Sequence, residues 1–150
     1  AADEEYMEIA LEEAHIGASE GEVPVGAVLT RDGDVIARDH NRCIQFNDPT
    51  AHAEILVIRR GGEVLGNYRL PETTLYVTIE PCPMCVGALL ACDADGVVYA
   101  LSDPTEGACL SVLHLAESKG LQRRLQVVSG ILQEDAADLR PDLLAEATGT

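Results

Sequence analysis

Residues 73–92 read TTLYVTIEPCPMCVGALLAC, and this stretch decides the fold because it joins one buried strand to one buried helix. Apolar residues alternate with β-branched or aromatic ones over Thr73–Ile79, which is typical of a β-strand. Val86–Cys92 is apolar on all sides, as expected of a helix packed against a sheet. A strand that leads directly into a buried helix predicts an α/β protein.

The junction between this strand and helix carries a C-x-x-C pair, Cys82 and Cys85. Residues three apart lie about 60° from each other around an α-helix, so both sulfurs can face one metal ion from a single first turn. Pro81 and Pro83 suit the start of a helix. The positive end of the helix dipole favours thiolate over thiol, which further favours metal binding there.

A second short motif, His52-Ala53-Glu54, supplies the remaining chemistry. Two thiolates and the His52 imidazole suit zinc, and three protein ligands leave the fourth tetrahedral position to water, as in a catalytic site. Glu54 lies about 200° from His52 on a regular helix, so it is poorly placed to share the ion. We expect Glu54 to carry protons beside the bound water.

Two other interpretations of the cysteine pair are weaker. A redox C-x-x-C would not need His52 or Glu54. A structural zinc site needs a fourth ligand, and the remaining candidates belong to no second ligand pair: Cys43, Cys92, Cys109, His40 and His114. Cys92 and Cys109 are expected to be small core residues. The ligand count therefore favours catalytic zinc.

The surrounding chain alternates predicted helices and strands. A helix is expected over Asp3–Glu20, followed by an antiparallel pair, Val23–Thr30 and Val35–Arg38, around the hairpin signal Asp32-Gly33. The polar stretch His40–Pro49 is expected to be a functional loop. Four further elements follow the cysteine pair: strand Gly96–Leu101, helix Leu110–Ser118, strand Leu125–Ser129 and helix Leu132–Arg140.

The helix that follows the loop is expected to be capped by Thr50, to hold His52 in its first turn and to stop at Gly61-Gly62. Together these elements predict one domain over residues 1–150, with an α/β fold. Its architecture is expected to be a three-layer α/β/α sandwich around a mixed sheet of about five strands.

The composition of the chain indicates its cellular compartment and limits the partners it can bind. The longest apolar run, Val86–Cys92, is far too short to span a bilayer, and five cysteines, an odd number, fit a reducing compartment, so we expect a cytoplasmic protein. The chain has 26 acidic and 10 basic residues and a formal net charge of −16, which disfavours polyanions unless cations are concentrated locally. The candidates for such a positive rim are Arg42, Arg59, Arg60, Arg69, Arg123 and Arg124.

The two motifs match the signature of the zinc-dependent nucleobase deaminases, within the cytidine/deoxycytidylate deaminase superfamily. Several further stretches resemble the bacterial tRNA-specific adenosine deaminases: residues 23–27, 41–42, 47–51, 67–70 and 74–78. The resemblance implies a cytidine-deaminase-like fold, zinc held by His52, Cys82 and Cys85, and proton transfer by Glu54. It also implies that Asn41 contacts the base, that Asp103 lies near the target ribose, and that the protein is a homodimer acting on a tRNA anticodon loop.

The chain departs from that family at expected RNA-contact positions. Thr105 stands where a lysine is usual, Leu110 replaces a glycine, residues 92–96 replace a stretch that tends to carry arginines, and Pro141 interrupts a closing helix that is usually basic. Two alternatives therefore stay open: a deaminase of a free nucleobase or nucleoside such as guanine or cytosine, and a non-enzymatic zinc-stabilised binding module. The second has no use for Glu54.

Overall fold

The computed structural model describes residues 2–117 and 123–143. Its elements in chain order are helix α1 (Ala2–Ser19), strands β1 (Gly26–Arg31) and β2 (Asp34–His40), helices α2 (Cys43–Phe46) and α3 (Ala53–Leu65), strand β3 (Thr73–Ile79), helix α4 (Pro83–Ala91), strand β4 (Gly96–Leu101), a 3-10 turn (Leu115–Glu117), strand β5 (Gln126–Val128) and helix α5 (Gln133–Leu139). Within these residues, no helix combines the length and apolarity that a membrane span requires.

The five strands form one mixed sheet in the order β2-β1-β3-β4-β5. Strand β1 runs antiparallel to β2 and β3, whereas β3, β4 and β5 are parallel. The hairpin signal is confirmed, because Asp32 and Gly33 have φ angles of 52° and 82° and join Arg31 to Asp34 by a two-residue turn. The predicted sheet of about five mixed strands is thus confirmed.

Helices cover both faces of the sheet. Helices α1 and α5 contact each other and the sheet, while α3 and α4 form a second contacting pair. Strand β4 is buried along its whole length and β1 along all but its last residue, as expected when both faces are covered. At Gly26 an added Cβ would lie 1.9 Å from the Ala10 carbonyl oxygen, so α1 packs directly on the backbone of β1. The expected three-layer arrangement is confirmed.

The predicted end of the third helix at Gly61-Gly62 is wrong. Helix α3 continues through Gly61 and Gly62 and ends at Gly66, whose φ of 65° is the left-handed conformation of a helix end. Gly61 serves packing instead, because an added Cβ would lie 2.6 Å from Leu29 Cδ2 on the sheet. Glycine at this position lets the helix approach the sheet closely without ending it.

The predicted helix over Leu110–Ser118 is also wrong where it is described, since only Leu115–Glu117 forms a 3-10 turn. The amides of Val112 and Leu113 both donate to the Gly107 carbonyl, and that of Leu115 donates to Ala108. These bonds reach back five to seven residues, which an α-helix does not allow. Ser118 and the single lysine, Lys119, lie outside the described residues.

Candidate active site

Two of the three predicted metal ligands occupy helix N-caps. His52 precedes α3 with an extended backbone (φ −69°, ψ 151°), and Cys82 precedes α4 in the same way (φ −77°, ψ 173°). The prediction that His52 lies in a helical first turn is therefore wrong by one residue. Cys85 does lie in the first turn of α4 and is fully buried. Two helix starts thus bring the three side chains together.

The predicted cap of α3 is replaced by a residue from a distant segment. The Thr50 hydroxyl donates to Asp48 Oδ1 at 2.7 Å, within its own turn. The first backbone N–H of α3, that of Ala53, has no acceptor within the helix and donates instead to Asn41 Oδ1 at 2.7 Å. Because Asn41 follows β2, this bond fixes the start of α3, and with it His52, against the sheet.

The three donor atoms form a triangle of the size that one zinc ion needs. The two sulfurs of Cys82 and Cys85 lie 3.7 Å apart, and His52 Nδ1 lies 3.7 Å and 3.5 Å from them. Tetrahedral zinc with ordinary bond lengths separates two sulfurs by about 3.8 Å and sulfur from nitrogen by about 3.6 Å. A hydrogen bond from Cys85, opposed by burial and aided by His52, lowers the pKa of Cys82 to about 4. The donor set and its spacing therefore fit zinc.

Glu54 lies in the first turn of α3 and is 4% exposed. Its Oε1 is buried and has no hydrogen-bond partner among the described residues. Burial raises the pKa of this carboxyl. A buried carboxylate oxygen without a partner is costly unless a ligand or water satisfies it, so Oε1 is available to accept a hydrogen bond from a bound ligand or water.

Two cavities flank the metal triangle and share His52, Cys82 and Glu106. The first, called here the Asn41 cavity, has a volume of about 320 Å³, and its lining includes Asn41, Glu54, Glu80, Asp103 and Arg140. The second, called here the Met84 cavity, has a volume of about 570 Å³, and its lining includes Pro49, Met84, Val112 and Leu113. The site is therefore open to a molecule the size of a nucleoside.

The two predicted substrate contacts, Asn41 and Asp103, both line the Asn41 cavity. Each is also held by backbone amides: Asn41 Oδ1 accepts from Ala53 at the start of α3, and Asp103 Oδ1 accepts from the amides of Thr105 and Glu106 in its own loop. Their contacts with the base and the ribose remain predictions. Their present bonds hold them at the cavity wall without any substrate.

The sequence analysis missed Glu80, which lies two residues before Cys82 and is 3% exposed. Its Oε1 accepts the amide of Asp103 at 3.1 Å and the hydroxyl of Ser111. Its Oε2 accepts three amides at 2.8–3.0 Å, from Cys109, Leu110 and Ser111. This carboxylate therefore holds the loop that walls both cavities. The available signal was an acidic residue directly after a buried strand and two residues before a predicted metal ligand.

Most of the candidate cations for a positive rim are already paired with carboxylates. Arg69 and Arg123 both bind Asp93, in the stretch where the resemblance implies arginines. Arg42 pairs with Asp39, and Arg60 pairs with Glu63. Only Arg59 and Arg124 of the six form no ion pair within the part of the chain that the structure describes. The predicted rim is thus largely neutralised.

A mixed sheet with a His/Cys/Cys triangle and a buried glutamate at two helix starts defines a zinc-dependent hydrolytic deaminase. Residues 1–101 match the family described as the cytidine and deoxycytidylate deaminase zinc-binding region, and the chain belongs to that family.

The chain is similar to three known deaminases, two of them tRNA deaminases and one a guanine deaminase. The chain is 42% identical to the tRNA-specific adenosine deaminase of Bacillus subtilis, over 91% of this chain and 85% of that protein. A solved structure from studies of A-to-I editing by tRNA:A34 deaminases is 43% identical, with a TM-score of 0.87, over 90% of this chain and 98% of that one. The guanine deaminase of Bacillus subtilis is also 43% identical, but over 66% of this chain and 64% of that one, with a TM-score of 0.61.

Proposed function

We propose that this protein hydrolytically deaminates the wobble adenosine of tRNA to inosine and releases ammonia. The observation that carries the chemistry is the unpartnered Oε1 of Glu54 beside the His52, Cys82 and Cys85 triangle. The choice of substrate is supported by similarity that spans nearly the full length of a tRNA deaminase. The similarity to guanine deaminases is either shorter, over 66% of the chain for that of Bacillus subtilis, or more distant, at 24% identity over 95% of the chain for that of Nitrosomonas europaea.

In the proposed reaction, the metal ligands and Glu54 have separate roles. When bound by His52, Cys82 and Cys85, zinc supplies the Lewis acid that makes water a nucleophile at neutral pH. Glu54 Oε1 takes one proton from the attacking water and delivers it to the ring nitrogen, where the product keeps it. It then moves the second water proton, from the new hydroxyl on the attacked carbon, to the amino group, which leaves as ammonia when the C–N bond breaks. Burial raises the pKa of Glu54, which helps it to hold the proton between these two transfers.

The target base enters the site unstacked from the anticodon loop, because a paired or stacked base cannot reach a buried carboxylate. The Asn41 cavity is the space for it, with the Asn41 amide at the base and Asp103 near the ribose. Both side chains are held by backbone bonds before substrate arrives, so little ordering is needed on binding.

The proposed enzyme acts in the cytoplasm as a homodimer. Three exposed apolar side chains line the Met84 cavity, with exposed fractions of 36–48%: Met84, Val112 and Leu113. An apolar rim around a functional cavity suits a protein interface. The five cysteines are all free, which suits a reducing compartment.

Deamination of an anticodon stem-loop, with adenine, guanine, cytosine and their nucleosides in parallel, tests the proposal. Inosine in the stem-loop is expected, with a KM that rises steeply with salt because phosphates are neutralised on binding. Rapid turnover of free guanine or cytosine that is insensitive to salt, with no inosine in the stem-loop, would favour the free-base reaction instead.

A further inference from the structure

Arg140 follows the last residue of α5 and lines the Asn41 cavity together with Asn41, Glu54 and Asp103. Its side chain is 16% exposed, whereas those of Arg60 and Arg123 are 65% and 47% exposed. Charged side chains are rarely covered to this degree without a specific partner. The low exposure and the cavity lining together place the side chain of Arg140 at the cavity wall.

The guanidinium of Arg140 is held in one orientation by a neighbouring carboxylate. Its Nε and Nη2 donate to the two oxygens of Asp142 at 3.1 Å and 3.0 Å. This two-pronged geometry is the one that arginine also uses for phosphate. The Asp142 side chain is 61% exposed, so the carboxylate is held weakly and an incoming anion can share or take its place. Nη1 has no hydrogen-bond partner within the described residues.

The charges around Arg140 would repel an incoming anion if Arg140 were absent. Four carboxylates line the same cavity: Glu54, Glu80, Asp103 and Glu106. Arg140 is the single arginine or lysine among the described residues that line either cavity. A phosphodiester chain that delivers a base to this cavity is repelled by the carboxylates unless a cation offsets them.

We propose that Arg140 binds a phosphate group of the RNA that flanks the target nucleotide. This inference rests on the proposed tRNA substrate and adds a specificity determinant to it. The contact distinguishes a nucleotide within a chain from a free base or nucleoside, which offers no phosphate. It compensates locally for the largely neutralised arginine rim elsewhere on the surface.

A double-mutant cycle between protein and RNA tests this contact. The stem-loop is prepared with a neutral methylphosphonate linkage on the 5′ or the 3′ side of the wobble adenosine, and both forms are assayed with wild-type protein, Arg140→Gln and Arg140→Lys. In the wild-type protein, one of the two neutral linkages should raise KM roughly 10- to 100-fold, the scale of a charge-assisted hydrogen bond. Arg140→Gln should raise KM for the unmodified RNA to the same extent, with kcat little changed.

The diagnostic result is that the effects of the neutral linkage and of Arg140→Gln on KM do not multiply when the two are combined. The neutral linkage should have little further effect on Arg140→Gln, and that variant should lower the slope of log KM against log salt by about one. Arg140→Lys keeps the positive charge but loses the two-pronged geometry, so its KM should lie between those of the wild-type protein and Arg140→Gln. Zinc content and thermal midpoint, measured for each variant, show that the fold is retained.

Arg60→Gln is the matched comparison, because it removes the same charge from an exposed arginine that also pairs with a nearby carboxylate. Its effect should multiply fully with that of the neutral linkage. The proposed contact is overturned, and the proposed function is left standing, by either of two results. One is that the KM effect of Arg140→Gln multiplies fully with that of each neutral linkage. The other is that Arg60→Gln raises KM as much as Arg140→Gln does. Absence of inosine with wild-type protein overturns the proposed function and, with it, this inference.

Discussion

Asn41 Oδ1 accepts the backbone N–H of Ala53 at 2.7 Å, and this bond ties the segment after β2 to the start of α3. Ala53 is the first residue of α3 and is fully buried, so its amide has no access to water. A side chain from another part of the chain thus does the work of a local helix cap beside His52. The same residue is the predicted contact for the base.

Asn41→Ala should therefore lower the free energy of unfolding by about 1–2 kcal/mol, because a helix cap is lost and a buried amide loses its acceptor. Asn41→Asp keeps an acceptor oxygen and should retain most of that stability. Denaturant unfolding of both variants measures the difference. Equal stability of Asn41→Ala and wild type would show that the bond contributes nothing.

Glu54→Gln separates proton transfer from metal binding. Since Glu54 lies outside the donor triangle, the variant should keep zinc and fold but lose turnover by about two orders of magnitude or more. Glu63→Gln, on an exposed position of the same helix, is the matched control and should leave turnover unchanged. Loss of zinc from Glu54→Gln would make Glu54 a ligand.

Removal of a metal ligand should affect occupancy and stability together. We expect one zinc per chain, and Cys82→Ser or His52→Ala should lower both zinc content and the thermal midpoint, because bound metal stabilises the folded state. Cys92→Ser, a buried cysteine outside the triangle, should retain zinc. Elemental analysis with thermal melting measures this. Full occupancy in both ligand variants would contradict the assigned site.

Glu80→Gln should disturb the loop that walls both cavities. An amide in place of the carboxylate cannot accept all the donors that now surround it, and leaving buried amides unsatisfied should cost about 3 kcal/mol of unfolding free energy. Zinc should remain bound while kcat falls, because Asp103 is held by the same carboxylate. Wild-type stability and kcat in this variant would rule out such a positioning role.

Acid should weaken the link between α1 and β2. Burial alone would raise the pKa of Glu13, but hydrogen bonds from His40 at 2.9 Å and Arg38 at 2.7 Å lower it below its ordinary value near 4.5. A carboxyl whose pKa is lower in the folded state stabilises the protein above the unfolded-state pKa, and this stability is lost as pH falls through the folded-state pKa.

Glu13→Gln should thus be less stable than wild type at pH 6, and the difference should shrink as pH falls below about 4.5. Urea unfolding of both proteins across this range measures it. A difference that stays constant with pH would mean that the ionisation of Glu13 does not contribute.

The sequence by itself determined the elements whose signals are local. The alternation over Thr73–Ile79 specifies a buried strand, Asp32-Gly33 specifies a tight hairpin, and the two short motifs identify the three side chains of the metal triangle and the buried glutamate beside them. Each signal depends on neighbours a few residues apart, because strand, turn and helix-start geometry are set by local backbone preferences.

Tertiary structure alone decided what depends on residues far apart in the chain. Gly61 continues a helix because Leu29 packs against it, and Asn41 caps a helix that begins twelve residues later. Glu80 holds a loop in place of the expected helix, and Arg140 lines the cavity from the position directly after α5. Packing and buried hydrogen bonds outweigh local preferences at these positions, since an unsatisfied buried group costs more than a propensity gains.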